Sequence, residues 1–248
     1  MKKRFVGMIS ILVLAVLLVL FGAGFSESRA SAPKYKSTFY SDLGNFWFLN
    51  FMKSSWPSGE LPDAIWYPDN VQFKDGKMVL SIDRVKGYLT AGEVRTYQTF
   101  GYGYYQTRMK PISHNGVVSA FFNYARDDAT GKSTEIDIEF LGSDTTKVQF
   151  NYHTDGVGGH EYLYDLGFDA SKEYHDYAFY WTSDAIYWYV DGVLAYEVHA
   201  SDIPKIEASI NMDVWASGKE SWLGNYDGET PLYAYYDWVS YSKPEDMK

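Results

Sequence analysis

Residues 134–140 read Thr-Glu-Ile-Asp-Ile-Glu-Phe, so that three carboxylates alternate with apolar side chains. Alternation with a period of two, carried by two β-branched isoleucines, describes a β-strand whose successive side chains face opposite ways. Glu135, Asp137 and Glu139 then share one face, and Ile136, Ile138 and Phe140 share the other, which belongs in a core. Like charges in a row discourage one another's ionisation. Glycoside hydrolysis can use that penalty, because it needs one carboxyl kept protonated as an acid and another kept ionised as nucleophile or base. A solvated acidic strand face is the competing reading.

Spacing adds a condition. At about 3.3 Å per residue, Glu135 and Glu139 have Cα atoms about 13 Å apart on a flat strand. Retaining glycosidases hold the two carboxyl groups only about 5 to 5.5 Å apart. The pair works if the strand curves with its acidic face concave, so that both side chains lean over Asp137. A helix would also bring positions i and i+4 together, but the isoleucine alternation and Gly142 after the run speak against one.

The elements that would position this strand are short, aromatic and β-branched. Lys77–Asp83, Gly116–Phe122, Lys147–Tyr152, Tyr174–Trp181 and Ala185–Val190 read as strands, and Asp75-Gly76 and Asp191-Gly192 as tight turns. Their spacing predicts an all-β sandwich. The loops Ala125–Ser133 and Thr154–His160 bracket the acidic strand and its successor and are expected at the rim of a cleft. On that successor, Asn151 and His153 stand two apart and should face the same cleft as the acidic triplet. His153 reads equally well as a plain rim residue.

Several ordered blocks resemble glycoside hydrolase family 16, and within it the bacterial lichenases, over nearly the whole chain after residue 30. They include Phe100-Gly-Tyr-Gly-Tyr-Tyr105, Arg108-Met-Lys-Pro111, Glu135-Ile-Asp-Ile-Glu-Phe-Leu-Gly142, Asp144-Thr-Thr-Lys-Val-Gln-Phe-Asn151, Trp188-Tyr-Val-Asp-Gly192, Trp222-Leu-Gly224 and Tyr236-Asp-Trp-Val239. The resemblance implies a concanavalin-like jelly-roll β-sandwich with a concave substrate cleft. It implies Glu135 as nucleophile, Asp137 as its assistant and Glu139 as acid/base. Trp56, Phe122, Tyr124, Trp215 and Trp222 fall where the family has cleft walls, and Glu93 and Arg95 match residues that bond glucose hydroxyls. Gly76 and Asp237 match positions that hold a structural calcium, although a turn glycine and a strand aspartate explain them nearly as well.

Two departures stand out. Lichenases usually carry a Trp two residues before the nucleophile, where this chain has Ser133, and many carry a disulfide at the positions of Ala64 and Ala91. The compact Glu-x-Asp-x-Glu form, without the extra residue common in 1,3-glucanases, favours mixed-linkage β-1,3-1,4-glucan; transglycosylases share it. The expected activity is that of a retaining endo-β-1,3-1,4-glucanase, with a β-glucan transglycosylase or an endo-β-1,3-glucanase as alternatives. A non-catalytic carbohydrate-binding module gains little from three repelling carboxylates.

Composition agrees. The chain has 248 residues, 46% of them hydrophobic, enough for one large core. Its 23 Tyr and 8 Trp suit sugar rings, whose C–H faces stack on aromatics, although most must fill the core. Lys2-Lys3-Arg4, the apolar run Phe5–Phe25 and the small residues up to Ala32 resemble a secretory signal peptide cleaved after Ala30, or an uncleaved membrane anchor. Residues 31–248 form one catalytic domain. Removing Lys2, Lys3, Arg4, Arg29 and Glu27 takes the net charge from −10 to −13, which repels nucleic acid and anionic membranes but not neutral polysaccharide. There is no cysteine to staple the fold. With no metal-binding His pair, nucleophile elbow or phosphate loop, no cofactor is expected for catalysis, and no protein partner: a secreted monomer.

Overall fold

The computed structural model describes residues 31–44, 46–56, 64–218 and 221–247. The expected signal segment lies outside the described residues. Strands β1 (Phe39–Ser41), β2 (Phe51–Lys53), β3 (Ile65–Trp66), β4 (Val71–Lys74), β5 (Lys77–Val85) and β6 (Tyr88–Phe100) come first. They are followed by β7 (Gly103–Lys110), β8 (Val117–Arg126), β9 (Ser133–Leu141), β10 (Lys147–His153) and β11 (Tyr162–Asp165). The last are β12 (His175–Trp181), β13 (Ala185–Val190), β14 (Val193–His199), β15 (Ala208–Ala216) and β16 (Leu232–Ser242). Among the described residues helix is confined to short 3₁₀ turns, and no helix is long and apolar enough to cross a membrane.

The strands hydrogen-bond in the order β11-β10-β9-β8-β15-β6-β5-β16-β7-β12-β13-β14. The path folds back at the β5–β6 hairpin, so the first six strands form one layer and the last six the other. Inward side chains of both make a single core: Phe121, Ile136, Ile138, Phe140, Phe150 and Met212 from one layer meet Met109, Tyr177, Phe179, Trp188 and Tyr236 from the other. This is the expected all-β sandwich. All five predicted strands are present, extended by a few residues at most except at β8. Asp75-Gly76 and Asp191-Gly192 turn with positive φ (54° and 70°, 48° and 77°), as two-residue hairpins between right-twisted strands require. Lys86-Gly87 does the same between β5 and β6.

Polar bonds cross between the layers. The indole of Trp188 on β13 donates to the carbonyl of Asp137 on β9 at 3.1 Å. The Tyr236 hydroxyl on β16 donates to the carbonyl of Ala120 at 2.8 Å, with the carbonyl of Asp213 at 3.2 Å. Buried backbone carbonyls in the cleft-bearing layer are thereby held from beneath. Ala64 and Ala91, where the resemblance puts a disulfide, sit in one small buried cluster with Trp66, Val118 and Trp215, so packing holds the two segments there.

Candidate active site

Strand register lays out the cleft floor. Glu135 on β9 pairs with Tyr124 on β8 and His153 on β10; Asp137 pairs with Phe122 and Asn151; Glu139 pairs with Ala120 and Gln149. The rows continue through β15 into β6, where Asn211 faces Phe122 and Arg95, and Asp213 faces Ala120 and Glu93. Ile136, Ile138 and Phe140 are fully buried on the opposite face. The alternation read from the heptapeptide thus appears in three dimensions as a polar face over an apolar core.

One cavity of about 480 Å³ is lined by Glu135, Asp137, Glu139, Gln149, Asn151, His153, Glu161 and Trp222. An adjoining groove of about 800 Å³ shares the triplet and adds Trp56, Glu93, Arg95, Phe122, Tyr124 and Trp215. Every cleft residue proposed from sequence is therefore in one concave site. Both rim loops are there too: Lys132 and Ser133 line the groove beside Asp155 and Gly156, joined to them by a 3.0 Å Lys132–Asp155 ion pair and the Gly156 N–H to the Ser133 carbonyl.

The triplet is electrostatically strained. Burial, then the neighbouring Glu139, pushes the Glu135 carboxyl up to about 8. Asp137, only 4% exposed, is pushed well above the usual carboxylate range by burial and then by Glu135 and Glu139. Its hydrogen bond with Glu135 lowers the Glu135 pKa and raises its own. The arrangement this favours has the proton on Asp137, donated to an ionised Glu135. Burial also raises Glu139, opposed by Gln149, whose amide donates to its carboxylate at 2.8 Å. All three carboxyls are inclined to keep protons, and of the bonded pair Glu135 is the one that ionises first.

Around them, Ser54 donates to Glu93, and Arg95 lays its guanidinium over Trp56 at 4.8 Å. Trp215 and Trp222 meet edge to face with centroids 6.1 Å apart. Asn151 donates to the Nε2 of His153 at 3.0 Å. Sequence reasoning missed Gln149, Glu161 and Asp213. The last is 5% exposed, and burial followed by Glu93, Glu139 and Glu135 raises its pKa. Period-two spacing could have found it, since Asn211, Asp213 and Trp215 alternate on one strand just as Gln149, Asn151 and His153 do.

Gly76 and Asp237 belong to the other layer. The Asp237 carboxylate accepts the Lys77 ammonium at 3.0 Å, with the Arg108 guanidinium 3.7 Å away. Calcium wants six to eight oxygen ligands. These two side-chain cations occupy both carboxylate oxygens, so the residues as arranged do not fit the ion; Lys77 must leave first.

The sequence pattern described as Glycosyl hydrolases family 16 matches residues 59–239, most of the chain. The chain belongs to glycoside hydrolase family 16. It is a glycoside hydrolase, and its relatives agree on the type. It is 43% identical to a beta-glucanase of Acetivibrio thermocellus over 245 residues, covering 97% of this chain and 72% of that protein. With a Bacillus subtilis beta-glucanase the figures are 41% over 236 residues, 94% and 96%. The solved Bacillus licheniformis beta-glucanase superposes with a TM-score of 0.78 at 43% identity, covering 84% of this chain and 99% of that one. A lichenase from a mouse hindgut metagenome gives 0.78 at 44%, covering 82% and 98%. A Thermotoga maritima laminarinase domain, 20% identical with a TM-score of 0.72 over 84% of this chain and 97% of that one, shares the fold.

Proposed function

We propose that this family 16 enzyme is a secreted, retaining endo-β-glucanase that hydrolyses mixed-linkage β-1,3-1,4-glucan by double displacement. The observation that carries the mechanism is the placement of Glu135, Asp137 and Glu139 on one face of β9 in the cleft, with Asp137 hydrogen-bonded to Glu135 and Gln149 to Glu139. Glu135 attacks the anomeric carbon as Glu139 protonates the departing glycosidic oxygen; Glu139 then takes a proton from the water that breaks the glycosyl–enzyme ester. The bond from Asp137 favours the ionised form of Glu135 against the burial and repulsion that oppose it. Glu93, Arg95 and the aromatics Trp56, Phe122, Tyr124, Trp215 and Trp222 offer hydroxyl partners and stacking faces along the groove.

Mixed linkage is supported by the compact triplet and by lichenase among the similar structures. Secretion is supported by the character of residues 1–30. Product analysis on barley β-glucan, lichenan, laminarin and carboxymethyl cellulose tests the substrate, and proton NMR of the first-formed anomer tests retention. Cleavage of laminarin alone, or first release of the α-anomer, overturns the reading. Azide should partly rescue Glu135→Ala and yield an α-glycosyl azide; a Glu135→Gln or Glu139→Gln enzyme with most of its activity would refute the assigned roles.

A further inference from the structure

The β9–β10 pairing brings an imidazole into the carboxylate cluster. His153 is the register partner of Glu135, and Asn151 that of Asp137, so the four side chains form a square on the cleft floor. Ligand atoms of Glu135, Asp137 and His153 all lie within 4.8 Å of one another. Beside them Asn151, 5% exposed and in the wall of the same cavity, leaves its Oδ1 without a hydrogen-bond partner. Its amide nitrogen sits 3.0 Å from His153 Nε2. Turning the amide over would present Oδ1 at that same spacing, close to the separation of two adjacent ligands on an ion with bonds of about 2.1 Å.

The charges that act on Glu135 are the carboxylates of Glu139 and Glu93, and those that act on Asp137 are Glu135, Glu139 and Asp213. A cation at the square relieves that repulsion. The donor set is one imidazole, two carboxylates and an amide oxygen, with the cleft open above for water. Imidazole selects zinc-class borderline ions, whereas calcium and magnesium take all-oxygen sets.

We propose that Glu135, Asp137 and His153, with Asn151 beside them, form a zinc-class divalent-cation site within the cleft, whose occupancy excludes the glucan chain. A bound ion ties up Glu135 and fills the space a sugar ring needs, so metal and substrate compete. Binding of the ion does not depend on the glucanase reading; only the loss of hydrolysis rests on it.

The test is calorimetric titration of the full chain with zinc chloride. His114 with Asp227 and Glu229 forms a second group of ligand atoms within 4.8 Å, so the measurement is made in a His114→Ala background. One zinc per chain is expected, with affinity falling at least about tenfold in His153→Ala, and magnesium giving no comparable heat. His153→Asn is the second variant, and circular dichroism confirms that the variants are folded. A mixed-linkage oligosaccharide should weaken zinc binding to the Glu139→Gln enzyme, which keeps all four members of the square. Equal zinc affinity with and without His153, no binding in the parent, or zinc affinity indifferent to saturating oligosaccharide overturns the proposal. Indifference here means to mixed-linkage and laminarin oligosaccharides alike; competition with laminarin fragments alone keeps the site and overturns the substrate assignment.

Discussion

Replacing Glu135 with Gln should stabilise the protein in alkali and leave its stability in acid unchanged. Below about pH 4 the Glu135 carboxyl is neutral in both folded and unfolded chains, so the substitution changes no charge. Above its ordinary 4.5 the unfolded chain ionises this group, while the folded chain resists until about 8. Folding stability that is fully present below 4.5 is therefore lost progressively as pH rises to 8. At about 1.36 kcal/mol per pH unit that interval corresponds to at most ~5 kcal/mol. Glu139 and Glu93 share the repulsion and the bond from Asp137 opposes it, so we assign roughly 2 kcal/mol to Glu135 itself. For a domain of this size that is about 4–8 °C in Tm at pH 9. Thermal melts of wild type and Glu135→Gln from pH 4 to pH 9, followed by circular dichroism, read the difference. A gap independent of pH, or a Gln variant melting lower at pH 9, would refute the picture of Glu135 as a buried, repelled carboxyl.

Other outcomes follow from the same geometry. Asp137→Asn replaces the carboxyl proton donated to Glu135 with a weaker amide donor, so activity should fall about tenfold and the acid limb of the pH–rate curve, set by ionisation of Glu135, should move to higher pH; an unmoved curve contradicts the bond between Asp137 and Glu135. Gln149→Ala removes the bond that favours ionised Glu139, and the alkaline limb of kcat/KM should move to higher pH. Ser133→Trp restores a stacking face beside Glu135 worth on the order of 1 kcal/mol, roughly fivefold in kcat/KM on barley β-glucan. Lower activity on every glucan, with the fold intact, would show the rim rebuilt for another substrate. Lys77→Ala frees the Asp237 carboxylate, and millimolar calcium should then raise Tm more than in wild type; differential scanning calorimetry with and without chelator measures it.

The acidic strand was legible because its pattern is local: one heptapeptide carries both the period and the carboxylates, and Ile138 and Glu139 needed no distant partner to be assigned a face. The cleft walls were legible through resemblance, since nothing near Trp56 or Glu93 in the chain says that they meet Glu135. Asp213 was overlooked although its period-two spacing was visible. An aspartate within an apolar stretch reads as an interruption, and its place beside Glu93 arises only when β15 inserts between β8 and β6. Asp237 was left open between calcium ligand and plain strand aspartate, and the side-chain cations from β5 and β7 that converge on it could not be seen before the strands are ordered. His153 was left open between cleft and rim, and register resolved it by placing it opposite Glu135.

The bond from Trp188 to the Asp137 carbonyl has an evolutionary consequence. The reacting strand takes its position from an indole in the far sheet and from isoleucines beneath it, and neither belongs to the surface that touches polysaccharide. Rim side chains can then change, as at Ser133, while the strand below keeps its alignment. Descendants of this scaffold are free to drift in diet without relearning the reaction, and the slowest positions to change should be those furthest from the sugar.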